Sequence, residues 1–75
     1  MAEKFLDCLG EACPVPLMKA QKELASLADG DVLTMTVDYP CAVKNVPEWA
    51  RGQGYNVKIE EIDEETWDIV IEKTK

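Results

Sequence analysis

A thiol placed where a helix is about to begin is the strongest chemical signal in this chain, and Cys13-Pro14-Val15-Pro16 supplies it. Proline is tolerated in the first helical turn, where its missing amide hydrogen would have had no partner anyway. Cys13 therefore falls at or next to the N-cap, with Pro14 and Pro16 in the first turn. A thiolate there faces the positive end of the helix dipole and the unpaired amides of Val15 and Leu17, and both favour the deprotonated, nucleophilic sulfur. A merely buried cysteine has no need of that setting. The two prolines stiffen the loop, and Pro16 removes an amide that would otherwise compete for the cap.

Two further thiols are available. Cys8 falls at the end of the first strand, where a cysteine is more often core than catalyst. It reaches Cys13 only if their alpha carbons lie within about 7 Å. Cys41 follows Tyr39-Pro40 at the start of the second helical segment. If the first two strands run parallel, their carboxyl ends share an edge, and Cys41 becomes the better-placed second sulfur. There it would resolve a disulfide or accept sulfur from Cys13; the alternative is a passive helix-start residue. Asp38 closes the second strand at the same edge and reads as a turn or N-cap residue. Lys19 and Lys22 read as solvated helix residues, Lys44 as a cation nearer the sulfur edge, and Trp49 and Trp67 as packing groups.

The chain has no histidine, which removes Cys–His dyads, mixed Cys/His zinc sites and histidine proton shuttles together. Whatever activates a cysteine must be the backbone, a Lys or Arg, or a partner protein. No Cys-x-x-Cys spacing is present, so neither a metal nor a cofactor is expected. An odd number of cysteines implies no closed disulfide framework.

The elements that must position these thiols follow from periodicity. Lys4 to Cys8 reads as a strand and Leu9 to Ala12 as a loop; Leu17, Ala20, Leu24 and Leu27 then recur at helical spacing from about Pro14 to about Leu27. Asp29-Gly30-Asp31 is a turn signal. Leu33, Met35 and Val37 alternate with Thr34, Thr36 and Asp38, the pattern of a half-buried strand. Val43, Val46, Trp49 and Ala50 restore helical spacing between Cys41 and about Gly52, and Pro47 predicts either a kink or a short turn before a helix beginning near Pro47. Val57 and Ile59, then Trp67, Ile69 and Ile71, give two antiparallel strands joined around Asp63-Glu64-Glu65. The expected fold is an α+β two-layer sandwich of βαβαββ order, two helices on one face of a four-stranded mixed sheet.

Seventy-five residues, 47% of them hydrophobic, support one domain across positions 1–75 and one core. The net charge of −7, fifteen acids against eight bases, argues against a nucleic-acid partner and for partners with a basic surface. Glu60, Glu61, Asp63, Glu64 and Glu65 read as a solvated hairpin turn and its flanks. No apolar run reaches membrane-spanning length and no basic-then-apolar leader precedes the first strand, so membrane insertion is not expected and a cytoplasmic location is.

The Cys-Pro-x-Pro motif at a strand-to-helix junction resembles the TusA/SirA/YeeD family of small sulfur-carrier proteins. The likeness extends to Leu6-Asp7 ahead of the motif, Asp29-Gly30-Asp31 before the second strand, Asp38-Tyr39-Pro40 after it, and Val46-Pro47-Glu48-Trp49 in the second helix. It covers nearly the whole chain. The resemblance implies the same βαβαββ sandwich and a sulfurtransferase role, with Cys13 carrying sulfur as a persulfide from a donor to an acceptor thiol. In the family's best-known members the donor is a cysteine desulfurase and the sulfur ends in tRNA thiolation; others sit beside sulfur transporters, or serve sulfur oxidation and selenium metabolism. Val46-Pro47-Glu48-Trp49-Ala50 and Trp67 look closer to the branch associated with thiosulfate uptake. Cys41 and Cys8 depart from the one-cysteine pattern. Two other roles stand beside the carrier: a dithiol redox protein using Cys13 with Cys41 or Cys8, and a non-catalytic adaptor of a sulfur transporter.

Overall fold

Strand-forming and helix-forming segments alternate along the chain as their apolar periods change. The computed structural model describes residues 3–12 and 15–73. Its elements are β1 (Glu3–Cys8), α1 (Val15–Ser26), β2 (Val32–Val37), α2 (Pro40–Gly52), β3 (Asn56–Asp63) and β4 (Thr66–Glu72). They form an α+β two-layer sandwich on one four-stranded mixed sheet of order β1-β2-β4-β3. β1 pairs parallel with β2, and the other two pairings are antiparallel.

Period-two alternation decides which side chains meet the helices. Leu33, Met35 and Val37 of β2 and Ile69 and Ile71 of β4 are buried, while Thr34, Thr36, Asp68 and Val70 project from the other face. The register lines these residues into rows across the sheet. One row runs Leu6, Met35, Ile69, Ile59, and the next runs Cys8, Val37, Trp67, Glu61. The two central strands hold the core, and the edge strands are less covered: Phe5 is 71% exposed on β1 and Ile59 is 37% exposed on β3.

α1 buries Pro16, Ala20 and Leu24, a stripe at spacing four. α2 buries Ala42, Val46, Pro47 and Ala50. The expectation of a short turn before a helix beginning near Pro47 is replaced by one helix running from Pro40 through Pro47 to Gly52. A proline inside a helix forfeits one backbone hydrogen bond, here to Val43, at a cost of about 3 kcal/mol. The Pro47 ring is buried beside Val46, and the burial of that apolar face sustains the helix across the missing bond. Pro40 begins the helix, where proline fits without loss.

The parallel β1–β2 pair sets where the loops leave the sheet. Cys8 is level with Val37, so the β1–α1 loop and the β2–α2 connection leave the sheet at the same edge. Val37 is also level with Trp67, which brings the acidic β3–β4 turn to that edge. The opposite edge is closed by Lys73. Its Nζ donates to the carbonyls of Leu24 (2.6 Å) and Leu27 (2.7 Å) and so satisfies the carboxyl end of α1.

Candidate functional site

The β1–α1 loop is built from backbone and carboxylate hydrogen bonds. Asp7 Oδ1 accepts from the Leu9 amide (3.0 Å), and the Glu11 amide donates to the Cys8 carbonyl (3.2 Å). The turn passes through Gly10 at φ +77°, a conformation that glycine adopts without steric cost. The Val15 amide donates to the Ala12 carbonyl (3.0 Å), tying the residues on either side of the Cys-Pro step. Cys13 and Pro14 themselves lie outside the described residues. Pro16, the second residue of α1, is buried.

Asp38 joins this loop to the next one. Both its carboxylate oxygens accept from the Gly10 amide, at 3.0 and 3.1 Å, across 28 positions of sequence. Gly10 lies three residues before Cys13, and Asp38 three residues before Cys41. The N-cap of α2 is Tyr39, which makes no side-chain capping bond, so Asp38 orients the preceding β1–α1 loop and does not cap its own helix. Cys41 is exposed in the first turn of α2, and it is disulfide-bonded.

Cys8 behaves differently. It is free and fully buried. Burial pushes its thiol up to about 11, and the neighbouring Glu11 carboxylate adds to the shift by its charge and by accepting from the thiol. Cys8 is a neutral core group at neutral pH. Glu11 makes an ion pair through Oε2 with Lys19, and that bond holds the ammonium in its charged form with a raised pKa. Glu11 Oε1 is buried and has no hydrogen-bond partner among the described residues. Lys19, expected to be a solvated helix residue, therefore pins α1 to the loop ahead of Cys13; its side chain is only 42% exposed.

Sequence reasoning gave Asp38 a local role and gave Glu11 none. The Asp38 contact was implicit in parallel pairing, which brings the residues following β1 and β2 side by side. Nothing in the sequence signalled Glu11–Lys19, because a spacing of eight matches no short-range rule. Lys22 and Lys44 are exposed, and Trp49 and Trp67 are half-buried against the core, Trp49 edge-on to Tyr55 with ring centres 6.1 Å apart. Leu9, Val15, Met18 and Tyr39 are exposed apolar side chains on the segments leading into or out of this edge. No cluster of metal-ligating side chains occurs among the described residues, and no helix among them is long and apolar enough to cross a membrane.

An α/β sandwich with a helix-start loop clamped at the edge of a parallel strand pair places the chain among small two-layer α/β domains. The chain belongs to the TusA family: residues 4–73 match the family model described as sulfurtransferase TusA. A protein of Methanocaldococcus jannaschii whose name assigns it a proposed sulfur-carrier role is 40% identical over 73 residues, 97% of each chain. TsuB of Escherichia coli, named in the same terms, is 32% identical over 74 residues, covering 97% of this chain and 99% of its own. The crystal structure of a SirA-like protein from Desulfitobacterium hafniense superposes with a TM-score of 0.87 at 33% identity, over the whole of both chains.

Proposed function

We propose that residues 1–75 act as one sulfur-carrier domain in which Cys13 takes up a sulfane sulfur, holds it as a persulfide and yields it to an acceptor thiol. The observation that carries this reading is the clamp between Asp38 and Gly10, which braces the loop leading into the Cys-Pro-Val-Pro segment at the start of α1, in a chain of the TusA family. With thiosulfate as donor, the Cys13 thiolate attacks the sulfane sulfur, the S–S bond of thiosulfate breaks, and sulfite leaves with the electron pair. With a cysteine desulfurase as donor, the thiolate attacks the terminal sulfur of the enzyme persulfide and the desulfurase thiolate leaves. The start of α1 stabilises the thiolate before transfer and the persulfide anion after it. Pro14 and Pro16 stiffen that start, and burial of Pro16 anchors it to the core.

The donor, thiosulfate or a desulfurase, separates thiosulfate use from tRNA thiolation, and the acceptor is a second protein thiol. The exposed Leu9, Val15, Met18 and Tyr39 offer that partner, or a sulfur transporter, an apolar contact on the segments that flank Cys13 and Cys41 in sequence. This role belongs to the cytoplasm, where reducing conditions return the thiols. The test is intact-protein mass spectrometry on reduced protein, with thiosulfate and separately with a charged desulfurase. A gain of one sulfur, about 32 Da and reversed by reductant, is expected in the wild type and absent in Cys13→Ser. Loading that survives in Cys13→Ser would overturn the assignment. The Cys41 disulfide favours a second reading, in which a dithiol pair takes part in the chemistry.

A further inference from the structure

The two helices pack on the sheet face that carries Leu33, Met35, Val37, Ile69 and Ile71. The other face is uncovered among the described residues, and the register gives its make-up. Asp7, Thr36, Asp68 and Glu60 form the row nearest the Asp38 edge, and Phe5, Thr34, Val70 and Lys58 form the next. Glu3 and Glu72 lie one row further on, level with Val32. This face thus carries five acids, Glu3, Asp7, Glu60, Asp68 and Glu72, against one base, Lys58. Among the described residues its one ion pair joins Lys58 to Glu60 at 3.7 Å. Three of the acids accept from neutral donors: Asp7 from the Leu9 amide (3.0 Å), Asp68 from the Thr36 hydroxyl (2.7 Å) and Glu72 from the Asn56 side-chain amide (3.3 Å). Those bonds orient the carboxylates without neutralising them.

Two hollows mark this face. One, of about 380 Å³, is lined by Val32, Asn56, Val57, Lys58, Val70 and Glu72. The other, of about 340 Å³, is lined by Phe5, Leu6, Asp7, Leu9 and Thr36. Each combines apolar lining with a carboxylate, Glu72 in the first and Asp7 in the second. That combination suits a side chain with an aliphatic stem and a cationic head. Phe5, 71% exposed, adds an aromatic ring on which a guanidinium stacks. Two strand spacings and four residues of rise put Asp7 and Glu72 about 16 Å apart, so one side chain cannot serve both.

We propose that the uncovered sheet face docks a basic protein partner, which seats one arginine in each hollow and lays apolar surface across Phe5 and Val70. Charge selects this occupant. A second copy of the chain would set five more acids against these five, and nucleic acid or an anionic membrane would bring phosphates; a basic surface is the one that gains by contact. The Lys58 charge is offset within the face by Glu60. The proposal stands apart from the sulfur chemistry, and its test does not depend on it.

The experiment titrates the reduced full chain, labelled for amide NMR, with a blocked hexapeptide that has an arginine at each end and serine and glycine between. Extended, that peptide spans about 16 Å. A second peptide with citrulline in place of both arginines has the same shape without the charge. The arginine peptide is expected to shift the amides of Thr36, Lys58, Val70 and Glu72 saturably, and the citrulline peptide to bind about fivefold more weakly. Asp7→Asn combined with Glu72→Gln keeps an acceptor oxygen for Leu9 and Asn56 and should weaken the arginine peptide about fivefold. Glu64→Gln combined with Glu65→Gln removes the same charge from the β3–β4 turn and should leave the affinity within about twofold of wild type. Matching urea midpoints establish that both variants fold; if either does not, the shift map and the two peptides on wild type decide. Equal weakening by the two variants, equal binding of the two peptides, shifts centred on the turn, or no saturable shift up to about 10 mM peptide overturns the proposal.

Discussion

Replacing Asp38 with alanine removes a side chain that cross-links the two loops, and its effect can be worked from the contact itself. A hydrogen bond from a backbone amide to a carboxylate is worth about 1.5–3 kcal/mol when well buried. Asp38 is half-buried and Gly10 exposed, so water recovers part of that, and the expected loss is about 1–1.5 kcal/mol. In a domain this small, urea m-values are about 1 kcal/mol/M, so the midpoint of reduced Asp38→Ala should fall by about 1 M with m unchanged. The same contact braces the loop leading into Cys13. Where loading needs that loop braced, a loss of about 1–1.4 kcal/mol corresponds to a rate lower by up to about tenfold. Single-turnover sulfur loading of reduced Asp38→Ala from thiosulfate should thus slow by up to that factor. Asp38→Asn, which keeps one acceptor without the charge, should fall between. A variant that loses stability but keeps the wild-type loading rate would show that the clamp supports the fold without assisting the chemistry. One that changes neither would refute the role given to Asp38 altogether.

Cys8 makes stability depend on alkaline pH. Its folded pKa of about 11 lies above the unfolded value of 9.0, so the folded state binds the proton more tightly. The contribution is complete below about pH 9 and is lost as pH rises through 11, amounting to about 3 kcal/mol for a shift of that size. Urea midpoints of wild type at pH 8 and 10.5 should differ by more than those of Cys8→Ala, and equal differences would remove the attribution. Lys73→Met strips two carbonyls at the end of α1 of their donor and should cost about 1–3 kcal/mol in urea unfolding. Because Lys73 lies at the edge opposite Cys41, sulfur loading of that variant should match wild type, and slower loading would show that the two edges are coupled.

The fold was legible because local and global signals agree. The alternation through Leu33, Met35 and Val37 and the stripe of Ala20 and Leu24 each name an element and its buried face, and those faces fit only one layering. The place of β4 between β2 and β3 was not legible, since strand order depends on pairings far apart in sequence. A helix start as late as Pro47 was excluded for a physical reason: the local cost of the proline is real, but burial of the same ring is a tertiary gain that a local rule does not count. At the site, the prolines and the helix start pointed to Cys13, and parallel pairing pointed to Cys41. Asp38 and Glu11 were hidden because a carboxylate that braces a distant backbone amide or a neighbouring lysine looks, in sequence, like any surface acid. Lys19 was misjudged for the matching reason: a lysine on an exposed helix face gives no sign of the partner that the loop supplies.

The register of the sheet has a practical consequence for tethering. Glu3 at the start of β1 and Glu72 at the end of β4 are both level with Val32, so the chain enters and leaves the sheet at the edge away from Asp38 and Cys41. An affinity tag, a surface linker or a whole fused domain attached at either end would hang from the far side of the molecule. The rim that holds Asp38 and Cys41 would then face outward from whatever anchors the protein. Two such domains joined in tandem would each keep that rim open, and so would one immobilised on a bead.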